Sequence, residues 1–516
     1  MQQRSMSTVR ISLIVALGGF LLGFDSAVIS GVVGPVQTAF DLSDGELGWT
    51  VSCLILGAMF GNMAAGPLAD RFGRRTVLRY TAALFTISAL GSALATGYTM
   101  LVIARILGGL AVGGAILIAP IYIAEIAPPE RRGRLVSFNQ LNIVVGISAA
   151  FFTNYFINQS MPGAASWRWM LGVESVPALL YLVCLFRVPC SPRWLARQGR
   201  LAEAKQVFTE LGGSEYATES IQSVTQEQLR EVGIQRAKPR ELFSRRMRWI
   251  MTIALSLAFF QQITGINAIF YYAPTIFEKA GAGAESALEQ AILIGLVNLG
   301  FTLVAMWLID RLGRKPLLLL GSAGMAIALF INAAAFSNAS YVLDEPVLAE
   351  LERTCSVEQH ACLSGLKDQS FDDEAEFRRA LRAQASAAAD IQGLGAMEHE
   401  LVKAGLHIDG RRVLMAIMLY IASFAISLGP VMWAMLSEIF PARVRGLGIS
   451  AAGVFNSAVA FLVTQLFPWE LSNLGPALTF LIYGVFAALA FLFTLVLIPE
   501  TKGRSLEEIE TLLVRV

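Results

Sequence analysis

Charge is what this 516-residue chain has least of. Asp, Glu, Lys and Arg make up 15% of it while 55% is hydrophobic. Soluble domains carry about a quarter charged residues, so a soluble globular fold is excluded. Histidine is rarer still. His360, His399 and His407 all fall in one polar stretch, which leaves no imidazole for catalysis among the apolar segments. The five cysteines (Cys53, Cys184, Cys190, Cys355 and Cys362) show no metal-ligand spacing, and no metal site is expected. The first apolar run is too long for a removable signal peptide and leads into a polar motif rather than a small-residue cleavage site. No nucleophile–base constellation or cofactor loop occurs, which argues against an enzyme and against a bound cofactor. The net charge is +1, and no nucleic-acid partner is expected.

What the chain has in abundance is apolar runs of bilayer length. About twelve recur, near 10–33, 47–69, 77–97, 100–126, 135–157, 169–187, 250–277, 289–310, 316–337, 412–437, 446–468 and 475–498. Their number predicts an all-α membrane protein. Arg71, Arg74, Arg75 and Arg79 follow the second run, and Arg131, Arg132 and Arg134 follow the fourth, whereas the loops after the first and third hold none. By the positive-inside rule the Arg-rich loops and both termini are cytoplasmic.

The chain also repeats itself. Asp70-Arg71-Phe72-Gly73-Arg74-Arg75 returns as Asp310-Arg311-Leu312-Gly313-Arg314-Lys315, offset by 240 residues. Glu125 with Arg132-Gly133 returns as Glu438 with Arg445-Gly446, offset by 313, so about 73 extra residues lie between. The polar stretch 338–410 accounts for them. The expected organisation is an N-terminal six-helix half (1–187), a cytoplasmic helical linker (188–249), a C-terminal half (250–498) with an extracytoplasmic insert (338–410), and a cytoplasmic tail (499–516). The linker has helix-forming stretches at 201–211 and 225–234. The insert holds 14 acidic against six basic residues, an Ala-rich run at 380–389 that reads as helix, and Cys355 and Cys362, which are free thiols or a disulfide in an oxidising exterior. It reads as a small lid, a partner surface or a tolerated ornament, with ornament the preferred reading.

The chain is organised around Gln261-Gln262-Ile263-Thr264-Gly265-Ile266-Asn267, followed by Tyr271 and Tyr272, inside the seventh run. Carboxamides in a membrane segment are costly unless they face a cavity, another helix or a ligand. Each offers a donor and an acceptor, as a sugar hydroxyl requires. In an unbroken helix Gln262 and Asn267 point about 140° apart. Gly265 offers a place to unwind and bring both to one cavity, which Tyr271 and Tyr272 would close. The competing reading is that the amides only join helices.

Four further groups stand out. Asp25 lies inside the first run and needs a partner or a proton; Arg105 in the fourth is the candidate partner, and Glu174 in the sixth is a second intramembrane acid. Asp70, Arg74, Arg75, Glu125 and Arg132 in one half match Asp310, Arg311, Arg314, Glu438 and Arg445 in the other. Such opposite charges would latch the cytoplasmic side. Trp433 adjoins the helix-breaking pair Gly429-Pro430 and offers a face for a sugar. Gln140, Asn298 and Asn456 add amides from other spans.

These residues resemble the sugar porter family of the major facilitator superfamily. The resemblance rests on QQxxGxNxxxYY at 261–272, DRFGRR at 70–75, DRLGRK at 310–315, RGRLVSFNQ at 132–140, SPRWL at 191–195, SEIFPARVRG at 437–446 and PETKG at 499–503. It covers the chain except the insert. It implies twelve transmembrane helices in two pseudo-symmetric halves, with the substrate between them and alternating access. By resemblance, Gln140, Gln261, Gln262, Asn267, Asn298, Trp433 and Asn456 bind sugar, and Phe24, Phe424 and Gly429 shape the site. Asp25 resembles the aspartate of proton-coupled members, which implies symport with the proton as coupling ion. Cys190 stands where the family motif PESPR has Glu. Ser457, Ala425 and Ile147 also depart from residues found in particular members. The expectation is therefore a monomeric proton-coupled importer of a hexose or pentose in the plasma (inner) membrane. The alternatives are a proton/myo-inositol or other polyol symporter, which also carries a long loop after the ninth helix, an uncoupled facilitator, and a transporter-like sugar sensor.

Overall fold

Two glycines at equivalent positions set the pattern of the fold. Gly73 and Gly313 have φ of 88° and 97°. Each ends one long helix (Asp44–Phe72, Ala284–Leu312) and starts the next (Arg74–Ala93, Arg314–Ser337). Left-handed φ costs a side-chain-bearing residue about 1–2 kcal/mol, so glycine makes each turn cheaply. The 240-residue sequence repeat is thus a repeat of structure.

The computed structural model describes residues 8–128, 131–231, 239–245, 247–345, 348, 363–371, 374–387, 401–402, 404–441, 443–502 and 508. Among them, eleven helical stretches are long and apolar enough to cross a membrane. The third predicted span forms a helix of 20 residues, Arg74–Ala93, more polar than the others because Arg74, Arg75 and Arg79 lie in its first turns. Observed helices extend beyond the apolar runs at several ends: the fifth spans Arg132–Ser160 and the eighth begins at Ala284. Ser43 starts the second span with a capping box shared with Glu46.

Three spans are interrupted. The sixth divides into Ser166–Gly172 and Ser175–Leu185, with Glu174 at the joint. The seventh divides at Gly265. The tenth divides at Ser427 into Gly410–Ile426 and Leu428–Ile439. Pro430 lacks the N–H that would bond the carbonyl of Ile426, which accounts for that break.

The two halves meet along two seams. On one, Ser52 Oγ donates to Gln465 Oε1 at 2.7 Å, and Gly48 leaves room for the backbone of Gln465. On the other, Ser148 Oγ donates to the carbonyl of Gly295 at 2.9 Å.

Ion pairs gather at the Arg-rich end of the bundle, where sequence placed a latch. Arg74 bridges Asp70 (3.0 Å) and Glu125 (2.9 Å), and Ser191 donates to Glu125. In the other half Arg314 meets Glu438 at 2.8 Å, and Glu500 accepts from the backbone N–H groups of Arg314 and Lys315, each at 3.1 Å. These pairs join helices of the same half, so in this conformation they brace each half rather than clasp one to the other. The reason is geometric: each Arg follows the tight Gly turn and faces the neighbouring helix of its own repeat. The other cations do not pair with the expected acids. Arg75 donates to the carbonyl of Val188 at 3.1 Å, Arg445 to that of Phe440 at 3.2 Å, and Arg311 lies over the Trp307 ring at 4.0 Å. The buried Nε of Arg132 has no partner among the described residues, to which the side chain of Asp310 does not belong.

This inequality is testable. Charge-assisted hydrogen bonds contribute about 1.5–3 kcal/mol each. Arg314→Ala should therefore lower the Tm of the purified protein well beyond Arg445→Ala, although sequence treats the two as equals. Equal shifts would contradict the assignment.

The segment between the halves forms Pro192–Arg197 and Leu201–Glu231, the latter broken at Gly213; it includes the expected stretch 201–211 and residues 225–231 of the second, whose remainder lies outside the described residues. It packs on the Arg-rich end, where Trp194 Nε1 donates to the carbonyl of Asp70 at 3.0 Å. The insert lies at the opposite end. Its described part is a three-stranded sheet (Ser370–Phe371, Ser340–Val342, Leu406–His407, in that order) with helix Glu374–Ala387, where the Ala-rich run predicts one. Leu343, Leu363, Leu366, Phe377, Leu381 and Leu401 form its own small core. Cys355 and Cys362 lie outside the described residues.

Candidate functional site

The break in the seventh span builds the site. Helix Arg248–Ile263 ends, Gly265 takes φ of 91°, and Ile266–Tyr271 resumes. The Tyr483 ring fills the space where a Cβ of Gly265 would stand, and Tyr420 Oη donates to the carbonyl freed at Thr264 (2.9 Å). The expectation that Gly265 brings the two amides together is met: Asn267 Nδ2 donates to Gln262 Oε1 at 2.9 Å.

The amides form one connected network. Gln262 Nε2 reaches Asn456 Oδ1 (3.1 Å) and Gln261 Oε1 (3.3 Å). Asn456 Nδ2 donates to Gln261 Oε1 and to the carbonyl of Ala258, both at 2.9 Å. Gln261 Nε2 donates to the carbonyl of Leu428 at 2.8 Å, a group exposed by the break in the tenth span. The two interrupted helices therefore satisfy each other through Gln261.

Beside this network lies a cavity of about 500 Å³ between the halves. That volume suits a small ligand. Gln140, Gln261, Gln262, Asn267, Asn298, Trp433, Phe424 and Gly429 all line it, as sequence expects. Asn456 and Phe24 do not. Asn456 stands behind the wall, its amide spent on the two glutamines, and Phe24 packs against Phe20 with ring centroids 5.9 Å apart. Ser26, Ile143, Thr302 and Phe270 line the cavity too and were missed. The signal for Thr302 was its spacing, one helical turn after Asn298.

Tyr271 and Tyr272 occupy different sides of a barrier. Tyr271 lines this cavity together with Ser26. Tyr272 is 1% exposed, packs on Phe467 with centroids 5.1 Å apart, and lines a separate cavity beneath the insert. Trp433 lines the inner cavity and is 43% exposed, whereas Tyr272 is absent from that cavity's wall.

One residue from the cavity wall lies a buried ion pair. Arg105 Nη1 stands 2.5 Å from Asp25 Oδ1, and both side chains are 2% exposed. Asp25 Oδ2 and Arg105 Nε lack hydrogen-bond partners among the described residues. Glu174, at the N-terminal end of helix Ser175–Leu185, is buried, with Oε1 unpartnered among the described residues and within electrostatic reach of Asp25 and Arg105. The joint between the two pieces of the sixth span turns it inward.

Gly265→Ala tests the geometry. A left-handed alanine costs about 1–2 kcal/mol, and here its methyl group would also displace the Tyr483 ring. The expected result is a lower Tm and loss of the sugar-induced Tm rise; a wild-type Tm would contradict the strained turn.

Comparison with known proteins agrees with this architecture. The family described as "Sugar (and other) transporter" matches residues 11–344 and 398–513. The chain is 34% identical over 511 residues to the arabinose-proton symporter of Bacillus subtilis, covering 98% of this chain and 95% of the other. It is 33% identical over 552 residues to the D-xylose-proton symporter of Escherichia coli K12, covering 99% and 96%. The inward-open structure of the xylose transporter XylE from E. coli superposes with a TM-score of 0.75 at 32% identity, covering 98% of this chain and 99% of that one. The chain is thus a twelve-helix, multi-pass membrane transporter, not an enzyme, and it belongs to the sugar porter family of the major facilitator superfamily.

Proposed function

We propose that this protein is a proton-coupled symporter that imports a monosaccharide, a hexose or pentose, by alternating access. The observation that carries this reading is the amide-lined cavity at the broken seventh span, one residue from a buried carboxylate with a free oxygen. Carboxamides bind hydroxyls as donor and acceptor at once, and Trp433 offers an apolar face to sugar C–H groups. Asp25 Oδ2 is the position that receives the proton. Protonation neutralises Asp25 and weakens its hold on Arg105, which then turns to Glu174. Ser26, next in the chain, passes the change to Tyr271 at the barrier. Relatives named as arabinose- and D-xylose-proton symporters support the same assignment.

The Arg-rich end, the linker and both termini face the cytoplasm, and the insert faces outward from the plasma membrane. The monomer is the working unit, since the site lies within one chain. No cofactor takes part; the proton is the coupling ion.

Uptake of radiolabelled hexoses, pentoses and inositols into proteoliposomes, with and without an inward proton gradient, tests the proposal. Accumulation of one monosaccharide above equilibrium, lost with an uncoupler, is expected. Accumulation of an inositol alone would make this a polyol symporter. Equilibration indifferent to the gradient would make it a facilitator.

A further inference from the structure

The insert does more than decorate the outer surface. Between it and the two halves lies a cavity of about 960 Å³, larger than the inner one. Tyr272 lines its floor and Tyr271 lines the inner cavity, so two adjacent tyrosines separate the two spaces. Gln37 and Asn158 come to its wall from the first half, Glu278 and Lys279 from the second, and Tyr341 and Arg378 from the insert.

The insert holds its two side chains firmly. Tyr341 sits in the central strand, in register with Phe371 on one side and Leu406 on the other. Its ring stacks on Phe377 with centroids 5.6 Å apart and planes at 22°, and Phe377 is fully buried in the insert's core. Arg378 follows Phe377 on helix Glu374–Ala387. A loose loop would not fix an aromatic ring and a guanidinium against one cavity.

The chemistry of the wall selects a class of ligand. Two cations, Arg378 and Lys279, are matched by two anions, Glu278 and Asp44, so no net field favours a charged solute. Two carboxamides and an aromatic ring suit a neutral polyhydroxylated molecule. The volume is near the upper end for small-molecule sites, so such a ligand would touch only part of the wall at once.

We propose that the insert makes the outer cavity a second, weaker site for the transported sugar, occupied before the sugar passes Tyr272. This rests on the import reading above. The two cavities share no lining residue, so both sites fill independently in the conformation described. Sugar held there is in place when the barrier next opens.

The test is saturation-transfer NMR on the full chain in nanodiscs, using the sugar that the wild-type protein transports. Gln262→Ala/Asn298→Ala disables the inner site and should leave a signal at millimolar sugar. Adding Tyr341→Ala and Arg378→Ala should cut that remaining signal at least five-fold. Because Tyr341→Ala could unseat the insert, Gln37→Ala/Asn158→Ala on the inner-site background, which leaves the insert untouched, should produce a similar loss. Complete loss of signal with the inner-site variant alone would overturn the second site, as would a signal indifferent to both sets of outer changes. A wild-type protein that transports no sugar would instead overturn the import reading, so the two failures are distinguishable.

Discussion

Asp25→Asn should abolish accumulation of sugar against its gradient while preserving exchange of labelled for unlabelled sugar across the membrane. Asn has the shape of protonated Asp but cannot release a proton, so the carrier keeps its moving parts and loses its coupling. The lost driving force is large. Each charge moved down a 100 mV potential supplies about 2.3 kcal/mol, about fifty-fold in concentration. In proteoliposomes carrying such a potential, the inside-to-outside ratio should fall from tens to about one. The variant should still fold, because Glu174 is buried near Arg105 with an unpartnered oxygen and can take over as its counter-ion. Breaking a buried ion pair outright costs about 3–5 kcal/mol. Asp25→Asn/Glu174→Gln should therefore show a much lower Tm than either single change. Accumulation retained in Asp25→Asn would remove the proton role from this residue.

The second large effect is expected at Gln262. Its side chain is the node of the amide network: it donates to Gln261 and Asn456 and accepts from Asn267. Gln262→Ala removes a wall group and also leaves Asn267 Nδ2 and Asn456 Oδ1 without these partners. An orphaned buried polar group costs about 1–3 kcal/mol, and 1.4 kcal/mol is a factor of ten in affinity. Sugar affinity, read by isothermal titration calorimetry, should therefore fall about a hundred-fold or more. Asn456→Ala should weaken binding less, about ten-fold, because the Asn456 amide bonds the two glutamines and the Ala258 carbonyl and does not line the cavity. Equal losses would place Asn456 on the wall, and an unchanged affinity in Gln262→Ala would remove Gln262 from the site.

Most of the site was legible because its residue types are costly where they stand. An amide or a carboxylate in a bilayer-length apolar run has few physical excuses, and Gln261, Gln262, Asn267, Asn298 and Asp25 could be picked out on that ground. Gly265 was legible for the same kind of reason, since only glycine turns left-handed cheaply between two amides that an intact helix would separate. The sequence was less informative about roles. Asn456 and Asn298 look alike on the page, and only packing shows that one is spent behind the wall while the other lines it. Glu174 does stand at a helix end, but only packing shows that this end is buried.

The latch shows the same division. Two copies of one charge pattern, 240 and 313 residues apart, establish that Arg74 and Arg314 do equivalent things. They do not establish with whom. The tight turns at Gly73 and Gly313 aim each Arg at the acid of its own half, so the pairs brace rather than clasp in this conformation. Cys190 follows from the repeat as well. It sits after Pro189 as Glu500 sits after Pro499, and Glu500 caps the helix that starts at Arg314.

The sequence by itself determined that this is a membrane protein, that it is built from two repeated halves, and which amides and acids matter. Those properties follow from local chemistry: hydropathy, charge placement and the cost of burying polar groups can be judged residue by residue. The tertiary structure alone decided that the two tyrosines divide an inner from an outer cavity. It alone decided that the insert, which reads as an ornament, has a core of its own and walls the outer space. Cavities and partners are set by how distant segments pack, and Tyr341, Asn158 and Lys279 share nothing in the chain that would announce that they face one another.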